Sequence, residues 1–256
     1  MGIEDLKNLE LLEHIAEDIA IRGFSRPVRI FPQHEIDELN SSLGEFLKNN
    51  QRADSWYSEV DPEQGENRPV DTIYNAHVCR SDLSEFVANP NLVNVAKRVL
   101  HGNVSLWRTT FWIKEPGARR VEWHQDTYKD EGLGSFPNLN SWIALDYANE
   151  DNCLWFVGKT HSEIIDLNVF KNESYLNDLK KSPDLPPPPL VGDITKVALR
   201  PGECVFFDGR CLHGSPPNKS KNRRAGLVVR FIPEGYVFGS KDVQPLSDLQ
   251  RKTSVE

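Results

Sequence analysis

Residues 204–232, CVFFDGRCLHGSPPNKSKNRRAGLVVRFI, carry a short apolar run, a turn-rich stretch with one histidine, and a second apolar run in close succession. Runs of β-branched and aromatic residues bounded by turn formers read as strands. Cys204 to Phe207 and Gly226 to Ile232 are therefore predicted strands, with His213 just beyond the first. Upstream the same texture recurs at Val104 to Lys114, Val121 to His124, Ser141 to Ala148, Cys153 to Val157 and Ile194 to Leu199. About seven or eight short strands at such intervals predict a mainly β fold with a double-stranded β-helix, the jelly-roll or cupin-like core.

The preceding part has a different period. Leu6, Leu9, Leu12, Ile15 and Ile19 recur at helical spacing before Gly23, and Ile36, Leu39, Leu43 and Phe46 or Leu47 mark a buried stripe within Gln33 to Asn50. Pro90 opens a third helix that turns Leu92, Val95, Ala96 and Val99 inward and stops at Gly102. Pro27 to Phe31 reads as extended chain and Gln51 to Val70 as loop. The expected organisation is one domain over residues 1–256, with a helical part over about 1–102 and the jelly-roll core over about 103–233. A charged, proline-rich insert over about 168–192, containing SPDLPPPPL, interrupts the core. It is too long for a simple strand connection, and loops of that length are often functional, so it is a candidate lid.

Charge and composition narrow the partners. A net charge of -8 over 256 residues argues against nucleic acid and anionic lipid, both of which select a basic surface. No apolar stretch is long enough to cross a bilayer, and the acidic, amphipathic start MGIEDLKNLELLEHIAEDIA does not read as an export signal. Cys79, Cys153, Cys204 and Cys211 are scattered without a C-x-x-C pair, which suits reduced thiols. A cytoplasmic protein acting on a small molecule is expected.

Chemistry concentrates at Trp123-His124-Gln125-Asp126, the end of a strand-like run that follows the turn Glu115-Pro116-Gly117. Residues two apart on a strand face the same side, so His124 and Asp126 can address one ion. His213 supplies a second imidazole. Two imidazoles and a carboxylate form a facial triad with open positions, the arrangement of non-haem iron(II) oxygenases. By itself H-x-D is a common tripeptide and carries little weight.

The surrounding sequence carries more. HGSPPNKSKNRRAGLVVRF resembles the C-terminal motif of the phytanoyl-coenzyme A dioxygenase family, H-G-S-x-x-N-x-S/T followed by an arginine and a last strand. LRPGECVFFDGRCLHGS and LWRTTFWIKEPGARRVEWHQD resemble two further motifs of that family, the latter closest to its branch of amino-acid hydroxylases and iron halogenases. WIALDYANEDNCLWFVGKTHSEI is similar to its N-G-C-L-x-x-x-P-G-T-H stretch, with Asp151-Asn152 in place of Asn-Gly and Gly158-Lys159 in place of Pro-Gly. The resemblance runs from about Gly23 to Pro233. It implies iron(II) held by His124, Asp126 and His213, with 2-oxoglutarate and dioxygen as co-substrates. It also implies that Arg224 pairs with the far carboxylate of 2-oxoglutarate, where a planar guanidinium matches a carboxylate in bidentate fashion. Ser215 is expected to add a hydroxyl to the same carboxylate. Arg223 points the other way along the strand and reads as a surface charge.

Thr109 is a further candidate for the co-substrate, although either face of its strand can line the pocket. Asn75 and His77 lie in a segment that in this family runs beside the co-substrate, a structural histidine being the commoner reading. His161 reads as part of a strand turn, and His14, His34 and His101 as background. In halogenating relatives a small residue replaces the metal carboxylate, so Asp126 implies hydroxylation or another oxidation without halide transfer. A free amino acid, a cationic one in view of the net charge, is the expected substrate. Two other classes stay open: a jelly-roll protein that binds a metal or sugar without redox chemistry, and a zinc hydrolase. If the insert over 168–192 is a lid, limited proteolysis cuts there in the apo protein and more slowly with substrate bound; resistance in the apo state removes the lid.

Overall fold

Apolar residues spaced three and four apart wind the first segments into helices. α1 (Leu9–Arg22) buries Leu12, Ile15 and Ile19 and stops at Gly23, whose positive φ of 90° and amide bond to the Ile19 carbonyl at 2.8 Å close its last turn. α2 (Gln33–Lys48) buries Ile36, Leu39 and Leu43. α3 (Ser81–Val87) and α4 (Pro90–Val99) follow, the second capped by Asn89, whose side chain accepts from the Asn91 amide at 2.9 Å. The computed structural model describes residues 9–48, 54–56, 70–75, 77, 81–126, 136–165, 194–236 and 244–245.

Twelve strands are described: β1 (Val28–Arg29), β2 (Asp54–Trp56), β3 (Val70–Tyr74), β4 (Val104–Lys114), β5 (Val121–His124), β6 (Leu139–Ala144), β7 (Leu154–Val157), β8 (Ile194–Val197), β9 (Glu203–Asp208), β10 (His213–Ser215), β11 (Arg224–Pro233) and β12 (Gln244–Pro245). A major sheet runs β1-β9-β6-β11-β4-β3-β2, with β12 also on β4, and a minor sheet runs β5-β10-β7-β8. All the pairings are antiparallel. This is the expected mainly β jelly roll behind N-terminal helices.

The major sheet is covered on both faces, which explains why its central strands read as near-continuous apolar runs. On one face Phe111, Ile113, Ala225, Leu227 and Val229 meet Ile36 and Leu39 of α2 and Leu92 and Val95 of α4. On the other, Trp112, Trp142, Val205, Phe207 and Val228 meet Val121, Leu154 and Phe156 of the minor sheet. Register fixes which residues share that second face. Across β4 and β11 the partners are Arg224 with Lys114, Gly226 with Trp112, Val228 with Thr110 and Arg230 with Arg108. Across β11 and β6 they are Arg230 with Asn140 and Val228 with Trp142. Period-two alternation thus assembles a row of polar residues on an otherwise apolar floor.

The structure departs from expectation in several places. Residues 54–56, expected as loop, pair with β3, and neither β3 nor α3 was foreseen. Both are short and take their shape from partners distant in sequence, β3 from Phe111 and Trp112 on β4. The strand expected over Ser141 to Ala148 starts at Leu139 and ends at Ala144, because the amides of Leu145 and Asp146 both turn to the Ala225 carbonyl. Lys159, where the family pattern has glycine, sits at φ 66°, a conformation that costs a residue with a Cβ about 1–2 kcal/mol. The insert over 168–192 lies outside the described residues.

Gly226 is the tightest point of the floor. A Cβ there would lie 2.1 Å from Cζ2 of Trp142, so only glycine lets the indole lie flat across β11. Gly226→Ala is expected to cost at least about 1–3 kcal/mol, the usual range for overpacking. Denaturant titration checks this, and an unchanged midpoint would refute the packing account.

Candidate metal centre

β5 ends and β10 begins at the same point of the minor sheet, where His124 and His213 are ladder partners with ring centroids 4.2 Å apart. Asp126 lies beyond the end of β5, yet its amide donates to the Gly209 carbonyl at 2.7 Å, which fastens it to the loop leading into His213. His124, Asp126 and His213 each offer one ligand atom, all within 4.8 Å of one another. Among the described residues no other three histidine, cysteine or carboxylate side chains converge in this way. Gln125, between two of them, donates to the carbonyls of Thr160 at 3.1 Å and Glu163 at 2.9 Å. The H-Q-D run is thereby stapled to the segment that follows β7.

Both rings have their tautomer set by backbone. His124 Nδ1 lies 2.8 Å from the Glu122 carbonyl and His213 Nδ1 lies 2.9 Å from the Cys211 carbonyl. A carbonyl only accepts, so each Nδ1 carries a hydrogen and Nε2 is the ring atom left to face an ion. Burial, followed by the neighbouring His124, pushes His213 down to about 3, so its ring is neutral at physiological pH. Burial alone would raise the Asp126 carboxyl, but Arg230, the histidines and the Asn140 hydrogen bond together hold it below the usual carboxylate range. Its oxygens have divided duties. Oδ2 accepts from Asn140 Nδ2 at 2.8 Å and lies 3.7 Å from Arg230 Nε, while Oδ1 faces His124 Nε2 at 3.6 Å.

The three side chains line a cavity together with Trp112, Trp142, Phe207, Ser215, Arg224 and Arg230. Arg224 is 1 % exposed. Its Nε donates to the Asn152 carbonyl at 3.0 Å, its guanidinium lies 5.1 Å from the Trp142 ring centroid, and its Nη2 is buried without a hydrogen-bond partner. Burial pushes Arg224 down to about 10, which leaves it a cation at neutral pH. A buried cation with an unused donor suits an anion that carries its own acceptors.

The N-x-S of the sequence motif holds this arginine in place indirectly. Asn218 donates to the Lys114 and Asn222 carbonyls, and its Oδ1 accepts from Asn152 Nδ2 at 3.0 Å and Ser220 Oγ at 2.7 Å. Asn152, a departure from the family pattern, is thus part of the support and presents its carbonyl to Arg224.

Other expected positions fall elsewhere. Arg223 does point away from the cavity, but it is no free surface charge: it forms a two-pronged pair with Asp146 at 2.8 and 3.1 Å and donates to Asn40 of α2. Thr109 is not on the cavity. It lies on the helix-backed face, opposite Val229, and its hydroxyl bonds His77 Nδ1 at 2.8 Å. The alternation of β4 gives the cavity Trp112 instead, with Thr110 bonding Arg230. Asn75 accepts from the Thr109 amide, and His161 Nε2 bonds the Ala20 carbonyl at the end of α1, a structural contact. Sequence reasoning passed over Asn140, Arg230 and Lys114. Period-two alternation puts Arg230 on the face of Arg224 along β11 and Lys114 on the face of Trp112 along β4.

Residues 21–226 match the family described as Phytanoyl-CoA dioxygenase (PhyH). An ectoine dioxygenase from Bordetella bronchiseptica is 30% identical over 187 residues, 68% of this chain and 60% of the relative, so the chain spans about three fifths of that protein's length. Among solved structures, the carbocyclase SnoK from nogalamycin biosynthesis, described as non-heme and alpha ketoglutarate dependent, superposes with a TM-score of 0.71 at 18% identity over 91% of this chain and 87% of its own. EctD from S. alaskensis with bound Fe gives 0.66 at 20% identity over 85% and 75%.

The hold of Asn140 on Asp126 generates a test. Partners that orient a metal-binding carboxylate typically contribute about 10–100-fold to metal affinity. Asn140→Ala is expected to weaken manganese(II) or iron(II) binding by that order, read by anaerobic metal titration. An unchanged affinity would mean that Asp126 needs no such support.

Proposed function

Because the chain belongs to the phytanoyl-CoA dioxygenase family, we propose that it is an iron(II)- and 2-oxoglutarate-dependent oxygenase in which His124, Asp126 and His213 hold the metal and Arg224, with Ser215, binds the far carboxylate of 2-oxoglutarate. The observation that carries this reading is one cavity that joins a three-ligand set to a buried guanidinium with an unused donor. Two imidazoles and a carboxylate suit iron(II) and leave coordination positions open for a bidentate oxo acid. Bound iron(II), with 2-oxoglutarate and dioxygen, supplies an oxidation in which the oxo acid becomes succinate and carbon dioxide and one oxygen atom enters a substrate C–H bond.

The chain's own residues bind, orient and exclude water. Arg224 and Ser215 fix the far end of the oxo acid, so that its near end meets the metal in a single orientation. Trp112, Trp142, Phe207 and Val228 give the cavity an apolar floor from which water is displaced on binding. Asn140 keeps one oxygen of Asp126 occupied and leaves the other for the ion. Asp126 is also a tethered anion in the position that halide would need, which supports oxygenation over halogenation.

The rival classes gain less support. A zinc hydrolase needs a general base beside the metal, and among the described residues lining the cavity Asp126 is the only carboxylate. A purely structural metal or sugar site leaves the unused donor of Arg224 unexplained.

For the substrate we propose a small molecule of the amino-acid class, a reading that the similarity to ectoine dioxygenase supports. The cavity does not favour the cationic variety. Its lining cations are Arg224 and Arg230, and a substrate that turns a carboxylate toward Arg230 is better matched than one that brings a further positive charge. The net charge of the whole chain says little about one wall of one cavity.

Anaerobic protein with iron(II) and 2-oxoglutarate is expected to show a weak visible charge-transfer band, absent in His124→Ala and in His213→Ala. With substrate, air and excess chloride, the product gains oxygen and no halogen isotope pattern, and succinate accumulates. A band of full strength in both histidine variants would overturn the ligand assignment. Arg224→Ala is expected to weaken 2-oxoglutarate binding by about 2–5 kcal/mol, as for loss of a buried charge-paired contact. Arg223→Ala should lower stability through Asp146 and leave that affinity unchanged, both read by calorimetry.

A further inference from the structure

Lys114 has no part in the reading above, yet it is fully buried, the only buried lysine among the described residues. It ends β4 on the cavity side of the major sheet and is the direct ladder partner of Arg224. Its Nζ lies 2.7 Å from Ser215 Oγ, 2.7 Å from the Pro216 carbonyl and 3.4 Å from the Ser215 carbonyl. Among the described residues no carboxylate lies within ion-pair distance of it. Two buried cations therefore face each other across the ladder, an arrangement that costs free energy unless an anion joins them. Burial, and then Arg224, push Lys114 well below its ordinary value.

Hydrogen counting shows what the lysine does to its neighbour. Nζ has three oxygen acceptors around it, one for each hydrogen of an ammonium, and in that form it has no lone pair and can only donate to Ser215 Oγ. The serine hydroxyl has a single hydrogen, which the lysine cannot accept. That hydrogen is turned away from Lys114, and Ser215 lines the same cavity as Arg224 and its unused Nη2. Both carbonyl contacts of Lys114 lie in the same short segment, so the lysine also fixes the backbone that carries Ser215 two residues after His213.

We propose that Lys114 is a positioning residue for the far carboxylate of the oxo acid: through Ser215 it directs a hydroxyl donor into the cavity beside Arg224. Lys114 does not itself touch the carboxylate. This inference rests on the oxygenase reading, and its test separates the two.

Binding of 2-oxoglutarate to manganese(II)-loaded protein is measured by anaerobic calorimetry for the unmodified chain, Lys114→Met, Ser215→Ala and the double variant, with manganese(II) affinity measured alongside. Each single variant is expected to lose about tenfold or more in 2-oxoglutarate affinity, the scale of one hydrogen bond to a charged group, with manganese(II) affinity held within about twofold. The double variant should bind no more weakly than Lys114→Met alone, because the lysine acts through the serine. Losses that multiply, or a fall in manganese(II) affinity to match, would overturn the positioning role. An unchanged affinity in Ser215→Ala overturns it as well, even if Lys114→Met does not fold. If the unmodified protein binds no 2-oxoglutarate, the oxygenase reading fails; if it binds and the variants do not differ, only the role of Lys114 fails.

Discussion

The antiparallel ladder that joins β5 to β10 is the constraint on which the site depends. It places His124 opposite His213, although the two are far apart in sequence. Neither strand is long enough to hold this position alone. β10 gains a second neighbour in β7, and Asp126, past the end of β5, is held by the Gly209 carbonyl. These three side chains therefore stand on backbone hydrogen bonds, which are directional and hard to slide. A slip of one residue would turn a histidine to the opposite face.

The second half of the site rests on the major sheet and obeys a different balance. Arg224, Lys114 and Arg230 are all buried on one face of β4 and β11, beside an apolar core that includes Trp112, Trp142, Phe207 and Val228. Burying cations is expensive unless their hydrogens are used. The fold meets most of that demand with oxygen atoms fixed by other contacts: the carbonyls of Asn152 and Pro216, the hydroxyls of Ser215 and Thr110, and the carboxylate of Asp126. Arg224, which lines the cavity, keeps Nη2 buried without a hydrogen-bond partner. The three buried thiols described, Cys153, Cys204 and Cys211, are raised by burial and stay protonated, so they compete neither for the metal nor for each other.

Some features were legible because their signals are local. Strands β4 and β5 have the ends expected from their apolar runs, and α2 and α4 begin where the stripe and the proline place them. The order of histidine, carboxylate, histidine and arginine could be read because each lies within a motif of a few residues. Other features were illegible for an equally physical reason. β3 and α3 are short elements stabilised by distant partners, and their own composition decides little. The face that Thr109 occupies is not legible, because alternation states that a strand has two faces without stating which of them meets the second sheet. Arg223 seemed a surface charge only because Asp146 and Asn40, its partners, come from remote segments.

The sequence by itself determined the mainly β class and the preceding helices, and it singled out the three side chains that converge in the structure and, of two neighbouring arginines, the one that lines the cavity, since period and motif need no knowledge of neighbours. Only the tertiary structure decided which face of β4 lines the cavity, that Asn140 and Arg230 hold the back of Asp126, and that Lys114 stands behind Ser215. These are contacts across a ladder register, and register is set by the packing of two sheets and a layer of helices, which no single stretch of chain contains.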